Sequence, residues 1–274
     1  MEHPAARAGG ILAELRRRSP LVHAITNCVS APFTANALLA LGAAPVMAHA
    51  PEEVEEMVDH ADALVVNLGT PTAYALAAMR LALRRANARG IPVVLDPVGA
   101  GATGFRTRAA LSLIAAGPPR AIRGNPSEIL ALAGGQGGRG VDARNGVEEA
   151  SPVARALAAG GVAAVAVTGA VDLVTDGRRE IRVANGHPLL ARVTGTGCAA
   201  TALVAAFLAV EADALSAAAA ALACLGIAGE QAAEGASGPG TFAARLLDAL
   251  HALSPGQLAA AARLTCSAAP GGTP

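Results

Sequence analysis

Short, continuously apolar runs alternate with helix-patterned stretches from residue 20 to residue 168, and this alternation limits the fold more than anything else in the chain. The runs 20–27, 45–48, 63–68, 91–95, 121–123 and 162–168 are too short for helices and rich in valine, leucine and isoleucine, as buried strands are. Between them, 33–41, 51–60, 72–89, 105–116 and 147–159 have helical character, with Gly42 and Gly90 as stop signals. Successive strands separated by helices of this length cannot close as hairpins, so they pair in parallel, with the helices packed on the sheet's faces. The expected class is therefore α/β: a mainly parallel central sheet with helices on both faces and a helical C-terminal third, in one domain over 1–274. In such sheets ligands sit beyond the C-terminal strand ends. The polar groups there are Thr26 and Asn27, 67–70, Asp96, Arg123 to Asn125, and Thr168 with Gly169, alongside Met47 at the end of its own strand. They are expected to converge on one cleft.

Two further strands are expected at 171–175 and 180–184, and after them helices over 199–210, 213–235, 241–252 and 255–264. The stretch 134–146 is rich in glycine and arginine and reads as a mobile surface loop, and the end of the chain from about residue 266 reads as a frayed tail.

The loop 193–198 (VTGTGC) opens directly into the apolar run 199–210. A Thr/Gly loop that becomes a helix leaves backbone N–H groups unpaired where the helix dipole places partial positive charge, which suits a phosphate. Cys198 falls in the first turn of that helix, where a thiol is expected to be acidified. The alternative is a tight turn with Cys198 as a small core residue.

All the basic side chains are arginine; the chain has no lysine. That excludes a Walker A lysine, a Schiff-base lysine and a lysine general base, and leaves any phosphate to arginine, helix N-termini or a metal. Zero net charge and 2% aromatic residues argue against nucleic-acid binding, which wants a basic face and stacking rings. Cys28, Cys198, Cys224 and Cys266 form no C-x-x-C pair, so neither zinc nor a disulfide framework is indicated, and a reducing cytoplasm fits. No signal peptide is apparent, and the apolar run 214–229 falls short of the roughly 20 residues of a membrane span, so no membrane association is expected.

Several strand-end groups have two open readings. Asp96 and Glu128 could hold a magnesium ion through waters and substrate oxygens, or could respectively cap an Asp-Pro turn and complement a helix dipole. Arg123 could fork onto phosphate or be a solvated strand-end arginine. Thr168 could bond a phosphate or ribose, or make a turn. Met47 could contact ligand or belong to the core. His23 and His49 lack metal-ligand spacing and read as structural.

The stretches 20–27 (PLVHAITN), 33–36 (FTAN), 41–51 (LGAAPVMAHAP), 95–101 (LDPVGAG), 123–129 (RGNPSEI), 168–176 (TGAVDLVTD) and 185–198 (NGHPLLARVTGTGC) together resemble the hydroxyethylthiazole kinases of thiamine salvage, within the ribokinase-like superfamily. The resemblance runs in order through most of the chain to about residue 207. It implies a ribokinase-like fold and ATP-dependent phosphorylation of the primary alcohol of 4-methyl-5-(2-hydroxyethyl)thiazole. It places the thiazole at Asn27, Met47 and Gly195, the ATP phosphates at Arg123 and Thr168 with Thr194 and Gly197 of the glycine loop, and Mg²⁺ near Asp96 and Glu128. It further implies a homotrimer with active sites between subunits. Many ribokinase-like kinases end the glycine loop with an aspartate that takes the alcohol proton; here Cys198 stands in that place as the candidate catalytic group. Cys28 follows Asn27 where an aromatic is common. Related readings, a hydroxymethylpyrimidine kinase or a dehydratase of hydrated nicotinamide nucleotides, would be expected to carry that aspartate.

Overall fold

The computed structural model describes residues 3–134 and 146–270. Within the Gly/Arg-rich stretch 134–146, the segment 135–145 expected as a mobile loop lies outside the described residues, as do 271–274 at the end of the tail.

Among the described residues one sheet of nine strands forms, in the order β2-β1-β3-β4-β5-β6-β7-β8-β9. Its parallel part comprises β1 (Leu21–Ile25), β2 (Ala44–Val46), β3 (Ala63–Asn67), β4 (Val93–Asp96), β5 (Ala121–Gly124) and β6 (Ala164–Val167). The strands β7 (Asp172–Thr175), β8 (Arg179–Val183) and β9 (Leu264–Ala268) then add in antiparallel fashion.

Strand side chains alternate between two cores, as the two-residue period of a strand requires. Val22, Ala24, Ala63, Val65, Val94, Ala121, Ala164 and Ala166 face one layer. Ile25, Leu64, Val66, Val93, Leu95, Ile122, Val165 and Val167 face the other. The first layer is built by α1 (Pro4–Arg18), α2 (Ala31–Leu41), α8 (Thr196–Leu208), α9 (Ala214–Ala233), α10 (Pro239–Ala252) and α11 (Pro255–Ala261). The second is built by α3 (Val54–His60), α4 (Ala73–Arg89), α5 (Gly104–Ala116), α6 (Pro126–Ala131) and α7 (Val147–Ala159). Strand residues facing the first layer are mostly Ala and Val, and α8 and α9 are themselves alanine-rich, so these helices lie close against the sheet.

α9 is 20 residues long, enough by length and composition to cross a membrane, so the apolar run is longer in the helix than the sequence reading allowed. With 83% of its most apolar window buried against the sheet and neighbouring helices, it is a core helix.

Three elements depart from the sequence expectations. A short 3-10 turn, Pro188–Arg192, precedes the glycine loop. α6 forms directly after β5, started by a capping box in which Asn125 accepts from the Glu128 N–H and Glu128 accepts from the Asn125 N–H. The tail is not frayed at 266. The helix expected over 255–264 stops at Ala261, and Leu264–Ala268 pairs with β8 over five positions, from Val183↔Leu264 to Arg179↔Ala268. Ala269 N–H extends the ladder to Arg178 O at 2.8 Å. The open edge of β8 supplies the partners that hold this end.

Candidate active site at the N-terminus of α8

The glycine loop turns into α8 through Gly195, whose φ of 94° lies in the left-handed region that favours glycine. The Thr196 hydroxyl locks the turn, reaching the carbonyls of Leu190 at 2.7 Å and Val193 at 3.0 Å. A Cβ on Gly195 would stand 3.2 Å from Ser30 Cβ, and one on Gly197 would stand 2.9 Å from Arg123 Nη1. Both glycines therefore permit close approach, of α2 on one side and of an arginine on the other. Thr194 is exposed on the turn.

Three strand ends supply the side chains around this helix start. Asn27, just past β1, donates from Nδ2 to Cys198 Sγ at 3.3 Å and to Asn67 Oδ1 at 2.8 Å. Asn67, the last residue of β3, donates in turn to Asp96 Oδ2 at 2.8 Å. Thr201 Oγ1, from α8, donates to that same Oδ2 at 2.8 Å. Asp96 Oδ1 is buried and has no hydrogen-bond partner among the described residues. Burial pushes the Asp96 carboxyl up to about 7; the positive charge of Arg123 opposes the rise and the negative charge of Glu128 adds to it.

Glu128 in α6 accepts from Gly99 N–H at 2.9 Å and Asn125 N–H at 2.8 Å. Burial raises its pKa, against the pull of these two N–H groups and of Arg123 and Arg106. It therefore does cap its helix, and it also lies close enough to Asp96 to influence that carboxyl. Asp96 does not cap its turn; its engaged oxygen is held by two side chains.

Among the described residues no group of three His, Cys, Asp or Glu could hold a metal. Two carboxylates with one orphaned buried oxygen fit a hard dication such as Mg²⁺, which takes few protein ligands and fills its remaining positions with water and phosphate oxygens. They do not fit a zinc-type cage.

Arg123, on β5, donates from Nη2 to Thr168 Oγ1 at 2.6 Å, and its buried Nε has no partner among the described residues. The turn beyond Thr168 is fixed by Asp172, which accepts from Gly169 N–H at 2.8 Å and whose pKa is pushed up to about 6 by burial. Arg106, given no role by the sequence, clamps the loops after β3 and β4 by donating to Leu68 O at 2.6 Å, Gly69 O at 2.8 Å and Val98 O at 2.9 Å.

The structure thus brings together Asn27, Cys198, Asp96, Glu128, Arg123, Thr168 and both loop glycines. Met47 is joined to the group only indirectly. Its carbonyl takes the His49 ring at 2.9 Å while the other ring nitrogen meets Thr26, and its side chain is half-buried against the core. Both histidines meet backbone groups, His23 resting on Ala48 O at 2.8 Å. Cys28 is exposed, its thiol 3.8 Å from Thr70 Oγ1.

One expectation fails. Cys198 is not acidified by its place at the helix start; its pKa is raised. Burial is the largest cause and the negative charge of Asp96 the next, and together they outweigh the neighbouring polar side chains of Ser30, Asn27 and Asn67, which favour the thiolate. Ser30 and Thr201 had no place in the sequence reading. The available signal for Thr201 is its spacing of three from Cys198, which puts both on one helical face.

Comparisons with known proteins place the chain in a family. Residues 12–256 match the profile of the Hydroxyethylthiazole kinase family. A hydroxyethylthiazole kinase of Desulfotalea psychrophila is 50% identical over 270 residues, covering 98% of this chain and 99% of that protein. The solved structure of a hydroxyethylthiazole kinase protein from Pyrococcus horikoshii superposes with a TM-score of 0.88 at 46% identity, covering 95% of this chain and 99% of that one. A ribokinase-like superfamily protein from Enterococcus faecalis, 15% identical and covering 90% of this chain and 95% of its own, shares the fold alone, with a TM-score of 0.62. On the match through most of its length and on half-identity to a full-length relative, this chain belongs to the hydroxyethylthiazole kinase family.

Proposed function

We propose that this chain is a kinase that transfers the γ-phosphoryl group of ATP to the primary hydroxyl of 4-methyl-5-(2-hydroxyethyl)thiazole, giving the thiazole phosphate used in thiamine salvage. The carrying observation is the single cluster at the start of α8. There a thiol 3.3 Å from Asn27 stands with a buried aspartate, a buried glutamate and an arginine that already grips Thr168. Family membership supplies the substrate; the cluster supplies groups suited to the chemistry.

In this reading Arg123, Thr168, Thr194 and the amides around Gly197 hold the nucleotide's phosphates, while Asn27, Met47 and Gly195 hold the thiazole. Asp96 and Glu128 would hold Mg²⁺, which would neutralise charge on the phosphates. The alcohol oxygen bonds to the γ-phosphorus as the bond from that phosphorus to the β-phosphate oxygen breaks. The alcohol proton passes late to the Cys198 thiolate, and ADP leaves. Because the thiol's pKa is raised, the thiolate is the minor resting form at neutral pH. A loose transition state asks little of the base. Most of the acceleration then comes from positioning and electrostatics.

The same reading includes one domain, a cytoplasmic location and a homotrimer with sites between subunits. Val29, two residues from Asn27, is 62% exposed in the single chain, which suits a neighbour's approach there. Light scattering tests the trimer. The activity is tested by ATP consumption with the thiazole alcohol, with a hydroxymethylpyrimidine and with no acceptor. Turnover confined to the first supports the reading, and equal consumption without acceptor refutes it.

A further inference from the structure

Asp96, Asn67, Asn27, Cys198 and Thr201 close a circuit, because Cys198 and Thr201 lie three residues apart on α8 and the rest are joined side chain to side chain. The circuit has a fixed direction. Asp96 Oδ2 accepts, so Asn67 must turn its amide nitrogen to it and its oxygen to Asn27. Gly69 N–H donates to that same Asn67 oxygen at 2.9 Å. The Asn27 oxygen is taken by the N–H groups of Val29 at 3.1 Å and Ser30 at 3.0 Å, which leaves its nitrogen for Asn67 and the thiol. Neither amide can flip without setting like groups against each other. Asn67 is 1% exposed, so water cannot replace what a flip would lose. It is also the only polar residue of β3 and sits opposite Asp96 in the parallel register.

We infer that Asn67 is a positioning residue for phosphoryl transfer, setting at one end which oxygen of Asp96 stays open and at the other which way the Asn27 amide meets the Cys198 sulfur. With Thr201 it occupies Oδ2 and leaves Oδ1 as the free oxygen. The inference rests on the reading that Asp96 serves the phosphates and Cys198 the acceptor hydroxyl. Asn67 itself touches neither substrate in that reading, so its loss belongs in kcat and not in KM.

The test measures kcat and both KM values for the parent, Asn67→Ala, Asn67→Leu and Cys198→Ala, and for Asn67→Ala combined with Cys198→Ala, with thermal melting of each. Leucine fills the volume that alanine empties, so a loss common to both is loss of the amide. The expected result is a kcat at least tenfold lower in both variants with KM values within threefold of the parent. In the Cys198→Ala background the Asn67→Ala change has an effect at least threefold smaller. A kcat within twofold of the parent, a loss carried by KM, or the same factor in both backgrounds overturns the inference. So does failure of both variants to melt cooperatively, which makes the amide purely structural. Parent turnover is read first: an inactive parent overturns the functional reading and this inference with it, whereas an active parent indifferent to Asn67 overturns this inference alone.

Discussion

Arg123 Nη2 lies 2.6 Å from Thr168 Oγ1, which ties the end of β5 to the end of β6 beneath the first turn of α8. The guanidinium is thus held in place by the fold, and a planar fork can bond a hydroxyl and, in the proposed reading, a phosphate oxygen together. Arg123→Lys keeps the charge and loses the fork. Its kcat/KM for ATP is expected to fall by about 10²-fold with little change in melting temperature. Steady-state kinetics with ATP varied checks it.

Gly197→Ala probes the same guanidinium from the helix side. The added Cβ would meet Arg123 Nη1 at 2.9 Å, the far end of a flexible side chain, so the protein folds and the arginine moves. The expected signature is a KM for ATP raised about tenfold with a melting temperature close to the parent's. A parent-like KM would show that the guanidinium does not serve the nucleotide.

For Cys198 two substitutions separate the roles open to it. As a proton acceptor its removal in Cys198→Ala lowers kcat by about 10²-fold, and Cys198→Asp restores turnover by supplying a carboxylate in the same place. If Cys198→Ala turns over like the parent, the thiol only packs.

The acid–base balance of the buried carboxyls makes a stability prediction. Asp96 is raised from 3.8 to about 7 and Asp172 from 3.8 to about 6, and Glu128 is raised as well. Each binds its proton more tightly folded than unfolded, so the contribution is whole below about pH 4 and is lost as pH climbs towards 6 or 7. The ligand-free protein is therefore expected to lose several degrees of melting temperature between pH 5 and pH 8, with Asp96→Asn flattening the slope. Melting followed across that range checks the sign.

Truncation after Arg263 tests the C-terminal strand. It removes five paired positions and bares the edge of β8, and on the order of 2 kcal/mol of stability is expected to go with it. Chemical denaturation measures the loss, and aggregation on heating is the accompanying sign.

Much of this was legible in the residues. The strands through β6 announce themselves as apolar runs between helical stretches, and polar side chains at their ends mark the candidate site. β9 was hidden because Leu264–Ala268 is mostly exposed and has no alternation to read; it is a strand only because β8 offers it an edge. The helix start at Cys198 misled for a related reason. Helix position is local and visible in sequence, whereas burial and the charge of Asp96, 102 residues away, are supplied by the fold. Asn67 could be placed at a strand end, but its proposed role depends on the direction of hydrogen bonds among four separate segments. Arg106 gave no signal at all, since backbone carbonyls are its partners.

The alanines of α9 have a consequence for how the gene can drift. Ala217 to Ala221 and Ala223 are at most 1% exposed, so the helix has no outward face along this stretch. One base change turns alanine into valine or threonine, and either adds atoms where neighbours already touch, at a penalty of roughly 1–3 kcal/mol. In a library of random variants selected for growth on the thiazole alcohol, this segment should return almost unaltered although it lies outside the candidate site.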